Sequence, residues 1–120
     1  MPYSFAVVDD DEMLRHLIER ALTRAFDECR ITEYPDAVDA LAHIPAAEFD
    51  LVIVDDRMPR IDGHEMVKQL RSRGIAVPVI MLSNAPESEH KGRAAGINDF
   101  LYKADLHRLP DLVRRWIGTG

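Results

Sequence analysis

Four places in the chain carry side chains that could act together. Asp9, Asp10 and Asp11 stand in a row behind the apolar run Phe5 to Val8, and Asp55 and Asp56 follow a second run, Leu51 to Val54. Ser83 closes a third run, Val77 to Leu82, and Lys103 follows a fourth segment, Asn98 to Tyr102. Crowded carboxylates repel one another, and without a counter-ion some of them hold protons to unusually high pH. A hard divalent cation removes that cost. Magnesium prefers oxygen ligands and binds through one or two carboxylates while keeping waters and phosphate oxygens. A lysine adds a point charge suited to phosphate, and a serine hydroxyl can hydrogen-bond a phosphoryl oxygen. Metal, cation, hydroxyl and a carboxylate nucleophile are the parts of a phosphoryl-transfer site.

Each of these residues alone has a plainer role. Asp11 suits a helix cap, since its carboxylate can accept a first-turn N–H at the positive end of the helix dipole. Asp9 and Asp10 could cap or solvate a loop, Lys103 could be a surface lysine, and Ser83-Asn84-Ala85-Pro86 could be a turn. What favours a site is coincidence: four polar signals fall at four matching segment ends.

The elements that must position them alternate between two periods. Tyr3 to Val8 reads as a buried strand. Met13, Leu14, Leu17, Ile18, Ala21, Leu22, Ala25 and Phe26 share one helical face, with Arg15, Glu19, Arg20 and Arg24 outside it. Cys29 to Tyr34 is a second strand. Pro35-Asp36 opens a short helix through Ala42, which Pro45 ends at about His43 or Ile44. Leu51 to Val54 is a third strand. Asp62 or Gly63 opens a helix with Met66, Val67 and Leu70 inward, closed by Gly74. Val77 to Leu82 is a fourth strand. Glu87 to Ala95 is a weak helix, because Gly92 costs about 1 kcal/mol against alanine. Asn98 to Tyr102 is a fifth strand. Arg108 to Ile117 is a last helix, which tolerates Pro110 only in its first turn. This alternation predicts an α/β domain with a parallel sheet and helices on both faces. Such sheets bind ligands beyond the carboxyl ends of the strands, where strand order reverses.

Composition sets outer limits. The 120 residues are 47% hydrophobic and 30% charged, which suits one soluble globular domain. The net charge of −6 argues against a nucleic-acid binder, which needs a concentrated basic surface. Cys29 is the single cysteine, so no disulfide forms within the chain and a reducing, cytoplasmic setting is expected. No apolar run approaches the roughly 20 residues of a membrane span, and Met-Pro-Tyr-Ser is not a secretion signal. His16, His43, His64, His90 and His107 are scattered without metal-ligand spacing and read as surface or packing residues. Trp116 is expected half-buried or at an interface.

From Ser4 to about Ile117 the sequence resembles the receiver domain of response regulators, the phosphoacceptor half of two-component signalling. The resemblance rests on Phe5-Ala-Val-Val-Asp-Asp-Asp-Glu12, Leu51-Val-Ile-Val-Asp-Asp-Arg-Met-Pro-Arg-Ile-Asp-Gly63, Val79-Ile-Met-Leu-Ser83 and Ala95-Gly-Ile-Asn-Asp-Phe-Leu-Tyr-Lys103. The second segment, with its Met-Pro and Asp-Gly behind the aspartate, is the most specific. The resemblance implies one doubly wound, flavodoxin-like domain over residues 1–120, with a core over about 4–117 and a tail or linker start at 118–120. Its five strands would run in the order 2-1-3-4-5 between five helices. It implies that Asp55 accepts a phosphoryl group from a histidine kinase or histidine phosphotransfer protein. Asp10 and Asp55 would hold Mg2+ or Mn2+, Asp9 would act through water, and Arg57 would contribute its backbone carbonyl. Lys103 would pair with the phosphoryl group. Ser83 would turn toward it, and Phe100 would change rotamer into the vacated space. Asp56, Arg57, Asn84, Ala85 and Ala104 would neighbour the phosphoryl site. Phosphorylation adds roughly −1.5 to −2 charges and three strong acceptors, a local change able to bias a two-state element. The implied output face is the fourth helix, fifth strand and fifth helix. The partners would be a C-terminal effector domain or a separate target protein, with a homodimer also within reach. The domain would be modified rather than turn over substrate, so it is not read as an enzyme.

Three departures from the family pattern carry expectations. Ala104 stands where receivers usually place proline after a cis bond, and a cis bond to alanine costs about 3–4 kcal/mol. A trans bond and a shifted loop are therefore expected. Asn84 occupies a usually small position, which narrows access to the phosphoryl site. The stretch from Ser83 to Gly96 is about two residues short, which predicts a short or mobile fourth helix and an altered output face. Two other readings remain open at this point. One is an aspartate-nucleophile phosphatase, although there the paired acid follows the lysine and here it precedes it. The other is a degenerate receiver that binds partners without taking phosphate.

Overall fold

The computed structural model describes residues 2–117, so the expected tail at 118–120 lies outside the described residues. The elements are β1 (Tyr3–Val8), α1 (Glu12–Ala25), β2 (Cys29–Tyr34), α2 (Ala37–His43), β3 (Leu51–Asp55), α3 (Gly63–Ser72), β4 (Val79–Ser83), α4 (Glu87–Ala95), β5 (Asp99–Tyr102) and α5 (Leu109–Ile117). Short 3-10 turns cover Ile44–Ala46 and Lys103–Arg108. The strands form one sheet in the order β2-β1-β3-β4-β5, and every pair is parallel. The order reverses between β1 and β3, which is where ligands bind in such sheets. Among the described residues, no helix is long and apolar enough to cross a membrane.

Alternation along the strands divides the core in two, because successive side chains point to opposite faces. Phe5, Val7, Leu51, Ile53, Ile80 and Leu82 pack under α1 and α5 with Ile18, Leu22, Leu109 and Val113. Ala6, Val8, Val52, Val54, Val79 and Met81 pack under α2, α3 and the end of α4 with Leu41, Met66, Val67, Leu70 and Ile97. Strands buried on both faces read as continuous apolar runs.

Several boundaries differ from expectation for identifiable reasons. β4 starts at Val79, not Val77, because Pro78 has no N–H to give a ladder; its carbonyl still accepts from Val52 N at 2.9 Å. β5 starts at Asp99, because the Asn98 side-chain oxygen accepts from Val79 N at 2.9 Å as a plug at the strand entrance. β3 and β4 each run one residue further than expected and take in Asp55 and Ser83. α5 starts one residue later than expected, so Pro110 sits at its second position, in the first turn where its missing N–H has no helical partner. The apolar face expected on α1 is wider than the face that is buried: Met13 is 66% and Leu17 44% exposed, and only Ile18 and Leu22 are fully covered. Periodicity marks which residues share a face, but not how much of that face a neighbour covers.

Asp11 caps α1, its Oδ1 accepting from Met13 N at 3.0 Å and Leu14 N at 3.3 Å. None of the described peptide bonds is cis, so Lys103–Ala104 is trans as expected, and the chain after Lys103 winds into a 3-10 turn. α4 forms over nine residues. Its Gly92 has a packing reason: a Cβ there would lie 2.7 Å from Ile97 Cδ1 and 3.1 Å from Met81 Sδ. The glycine weakens the helix but lets it approach β4.

Candidate functional site

Parallel register brings the four polar segments to one edge. Val8 pairs with Val54, Asp55 with Leu82, and Ser83 with Tyr102, so the residues following them meet beyond the carboxyl ends. Oxygens of Asp9, Asp10 and Asp55 lie within 4.8 Å of one another. Asp10 is exposed, while Asp9 is 1% and Asp55 4% exposed. Gly63 lets α3 begin hard against this group, since a Cβ there would stand 2.1 Å from the Asp55 carbonyl oxygen.

Asp9 Oδ1 accepts from Asp11 N at 2.9 Å, but its Oδ2 is buried without a hydrogen-bond partner among the described residues. Arg15 secures the backbone here, donating from Nη1 to the Asp9 carbonyl at 2.7 Å and from Nε to Glu33 at 3.1 Å. Lys103 Nζ stands 2.8 Å from Asp55 Oδ1, an ion pair; no hydrogen bond of good geometry reaches that buried oxygen. Burial pushes the Asp9 carboxyl up to about 7; the Asp11 amide and Lys103 oppose this, and Asp55 and Asp10 add to it. Burial also raises Asp55, and the Lys103 charge only partly offsets it. For Lys103 burial works downward, but the facing carboxylates outweigh it and hold the ammonium above its ordinary range.

Three converging carboxylates and two buried oxygens without good hydrogen bonds are a costly arrangement for a bare protein. They fit a hard divalent cation, which takes oxygen ligands and cancels the repulsion. The residues expected as metal ligands therefore suit that group by their own donor set.

Ser83 lies at the same edge but not on Asp55. Its hydroxyl donates to Asp56 Oδ2 at 2.6 Å and accepts from Ala85 N at 2.9 Å. Ser88, which sequence reasoning missed, donates to the same Asp56 oxygen at 2.7 Å. Its contact depends on the course of the β4–α4 loop, and no spacing rule reports that. His64, also buried, places Nε2 3.3 Å from the Ser88 carbonyl oxygen. Burial pushes Asp56 up, but the bonds from Ser83 and Ser88 prevail and hold its carboxyl below the ordinary range. Neighbouring aspartates of β3 and its end are thus shifted in opposite directions.

A cleft of about 290 Å3 opens beside the acids, lined by Asp56, Arg57, Ser83, Asn84, Ala85 and Lys103. The Arg57 side chain is 79% exposed, with Nε 4.0 Å from Asp56 Oδ2. Asn84 and Ala85 line the cleft, whereas Ala104 is exposed and does not. Phe100 is buried at the sheet edge, edge-on to the half-exposed Tyr102 with ring centroids 5.3 Å apart. Trp116 is partly buried as expected and donates from Nε1 to Asp99 Oδ2 at 3.0 Å.

This arrangement matches a known class. The profile of the response regulator receiver domain family matches residues 5–114, so the chain belongs to that family. It is 36% identical over 122 residues to response regulator MprA of Mycobacterium sp. (strain KMS), covering 96% of this chain and 52% of that protein. The chain thus spans about half the length of the curated relatives it matches. Among solved structures it is similar to the chemotaxis protein CheY4 of Vibrio cholerae, at 28% identity and TM-score 0.85, covering 97% of this chain and 99% of that one. It is also similar to the receiver domain of the sensor histidine kinase PA1611 of Pseudomonas aeruginosa PAO1, at 26% identity and TM-score 0.87, covering 99% of this chain and 100% of that one. That structure holds a magnesium ion coordinated in its active site cleft.

Proposed function

We propose that Asp55 is a phosphoacceptor that takes its phosphoryl group from the phosphohistidine of a histidine kinase or histidine phosphotransfer protein in the cytoplasm. The observation that carries this is the setting of Asp55: buried, ion-paired with Lys103 at 2.8 Å, and grouped with Asp9 and Asp10 within 4.8 Å. A carboxylate oxygen of Asp55 attacks phosphorus, the P–N bond to the imidazole breaks, and the imidazole leaves with the bonding pair. Lys103 holds charge against the transferred oxygens. Asp10, Asp55 and the Arg57 backbone carbonyl would hold magnesium or manganese, with Asp9 acting through water. Magnesium, when bound, neutralises phosphoryl charge and orients the group. Ser83 then bonds a phosphoryl oxygen, and Phe100 follows into the space released. The altered face of α4, β5 and α5 acts on an effector domain or a separate target. The domain is modified once per donor and does not turn over substrate.

The test is incubation with magnesium and a small phosphodonor, followed by intact-protein mass spectrometry. Wild type gains the mass of one phosphoryl group and Asp55→Asn does not. No gain, or an equal gain in Asp55→Asn, overturns the proposal.

A further inference from the structure

Asp56 follows the proposed phosphoacceptor, yet its carboxylate is bonded to β4 and α4. It is 4% exposed, and its Oδ2 accepts from two hydroxyls, Ser83 at 2.6 Å and Ser88 at 2.7 Å. A hydroxyl has one proton to donate. The Ser83 proton is committed to Asp56, and its oxygen takes the Ala85 N–H at 2.9 Å. A bond from Ser83 to a phosphoryl oxygen on Asp55 needs that same proton, so the two acceptors compete. Ser88 sits in the first turn of α4. One carboxylate oxygen therefore holds both ends of the Asn84–Pro86 loop.

We propose that Asp56 is a positioning residue, a latch that holds Ser83 in the resting arrangement and sets how strongly that arrangement resists a phosphoryl group. The inference rests on the phosphoacceptor reading above. Hydroxyl bonds to a carboxylate are short and about twice as strong as neutral ones. A latch of that strength lowers the competent fraction of molecules, and apparent affinity falls by the same fraction. Ser88 has the opposite sign. When Ser83 leaves, Ser88 is the hydroxyl still satisfying Asp56, so it eases the release.

Beryllofluoride, a stable phosphoryl analogue, is titrated with magnesium into wild type, Asp56→Asn, Ser88→Ala, Ser83→Ala and the double variant Asp56→Asn with Ser83→Ala. Calorimetry reads the affinity. Asp56→Asn binds about tenfold tighter, the scale of one hydrogen bond to a charged group. Ser88→Ala binds more weakly by several-fold. Relief of charge repulsion could also tighten Asp56→Asn, and the Ser83→Ala background separates the two causes. A latch needs Ser83, so the gain from Asp56→Asn shrinks there. A gain of the same size with and without Ser83, or an unchanged affinity in Asp56→Asn, overturns the latch. If Asp56→Asn does not fold, Ser88→Ala decides: weaker binding supports the latch, and equal or tighter binding overturns it. Absence of binding by wild type would instead sink the phosphoacceptor reading.

Discussion

The two edges of the sheet treat charge in opposite ways. At the amino-terminal edge Arg71 donates from Nε to the Gly96 carbonyl at 3.0 Å, and from Nη1 to those of Ile75 and Val77 at 2.8 Å each. Its Nη2 donates to Asn98 Oδ1 at 2.9 Å, and that oxygen also accepts from Val79 N. One half-buried cation is thereby bonded at all three nitrogens and ties α3 to the entrances of β4 and β5. At the carboxyl-terminal edge Asp9 Oδ2 is buried without a partner, and Asp55 Oδ1 faces Lys103 without a well-aligned hydrogen bond. The first edge is closed and structural. The second keeps unsatisfied charge where a ligand would complete it, as functional sites tend to do.

The largest effect expected from breaking this contrast is at the closed edge. Arg71→Ala should lose about 3 kcal/mol of stability, because several partly buried carbonyls lose their donors together. Urea denaturation measures this, and Arg71→Lys should rescue little, since an ammonium cannot reproduce the planar fork. A loss under about 1 kcal/mol would show that the clasp is incidental.

At the open edge, adding a ligand should do the reverse. Magnesium at a hundredfold excess over its Kd should stabilise wild type by about 2.7 kcal/mol in the same denaturation experiment, by binding only the folded state. Asp9→Asn combined with Asp10→Asn should abolish that gain. An undiminished gain would place the metal elsewhere.

A smaller effect follows from the burial of Asp9. Its carboxyl sits at about 7 in the folded chain against an ordinary 3.8. The folded state therefore keeps a proton that the unfolded chain has lost, so this group's stability contribution is fully present below about 3.8 and is lost as pH rises through about 7. Without metal, Asp9→Asn should be more stable than wild type by about 1–2 kcal/mol at pH 8, and by little at pH 4. Denaturation at the two pH values checks this. A stabilisation that does not grow with pH would contradict the assigned burial cost.

Both edges bear on how much was legible beforehand. The acids, Ser83 and Lys103 stood out because each falls at the end of an apolar run, and parallel strands bring such ends together. β2 and α4 were legible to the residue, helped by turn residues on either side. Arg71 was not singled out, because its partners are three backbone carbonyls and the Asn98 side-chain oxygen, drawn from the two loops before β4 and β5, which no side-chain pattern records. Ser88 was missed for the same reason: its link to Asp56 passes through the fold of a loop. Met13 and Leu17 were expected inward and lie exposed, since a periodic stripe does not say what covers it.

Borohydride shows directly which aspartate takes the phosphoryl group. After treatment with phosphodonor and magnesium, reduction of an acyl phosphate converts that aspartate to homoserine, which peptide mass spectrometry locates. An acceptor at Asp55 yields homoserine at position 55 alone. Homoserine at position 56 or 10, or none in a protein that gained the phosphoryl mass, would contradict it.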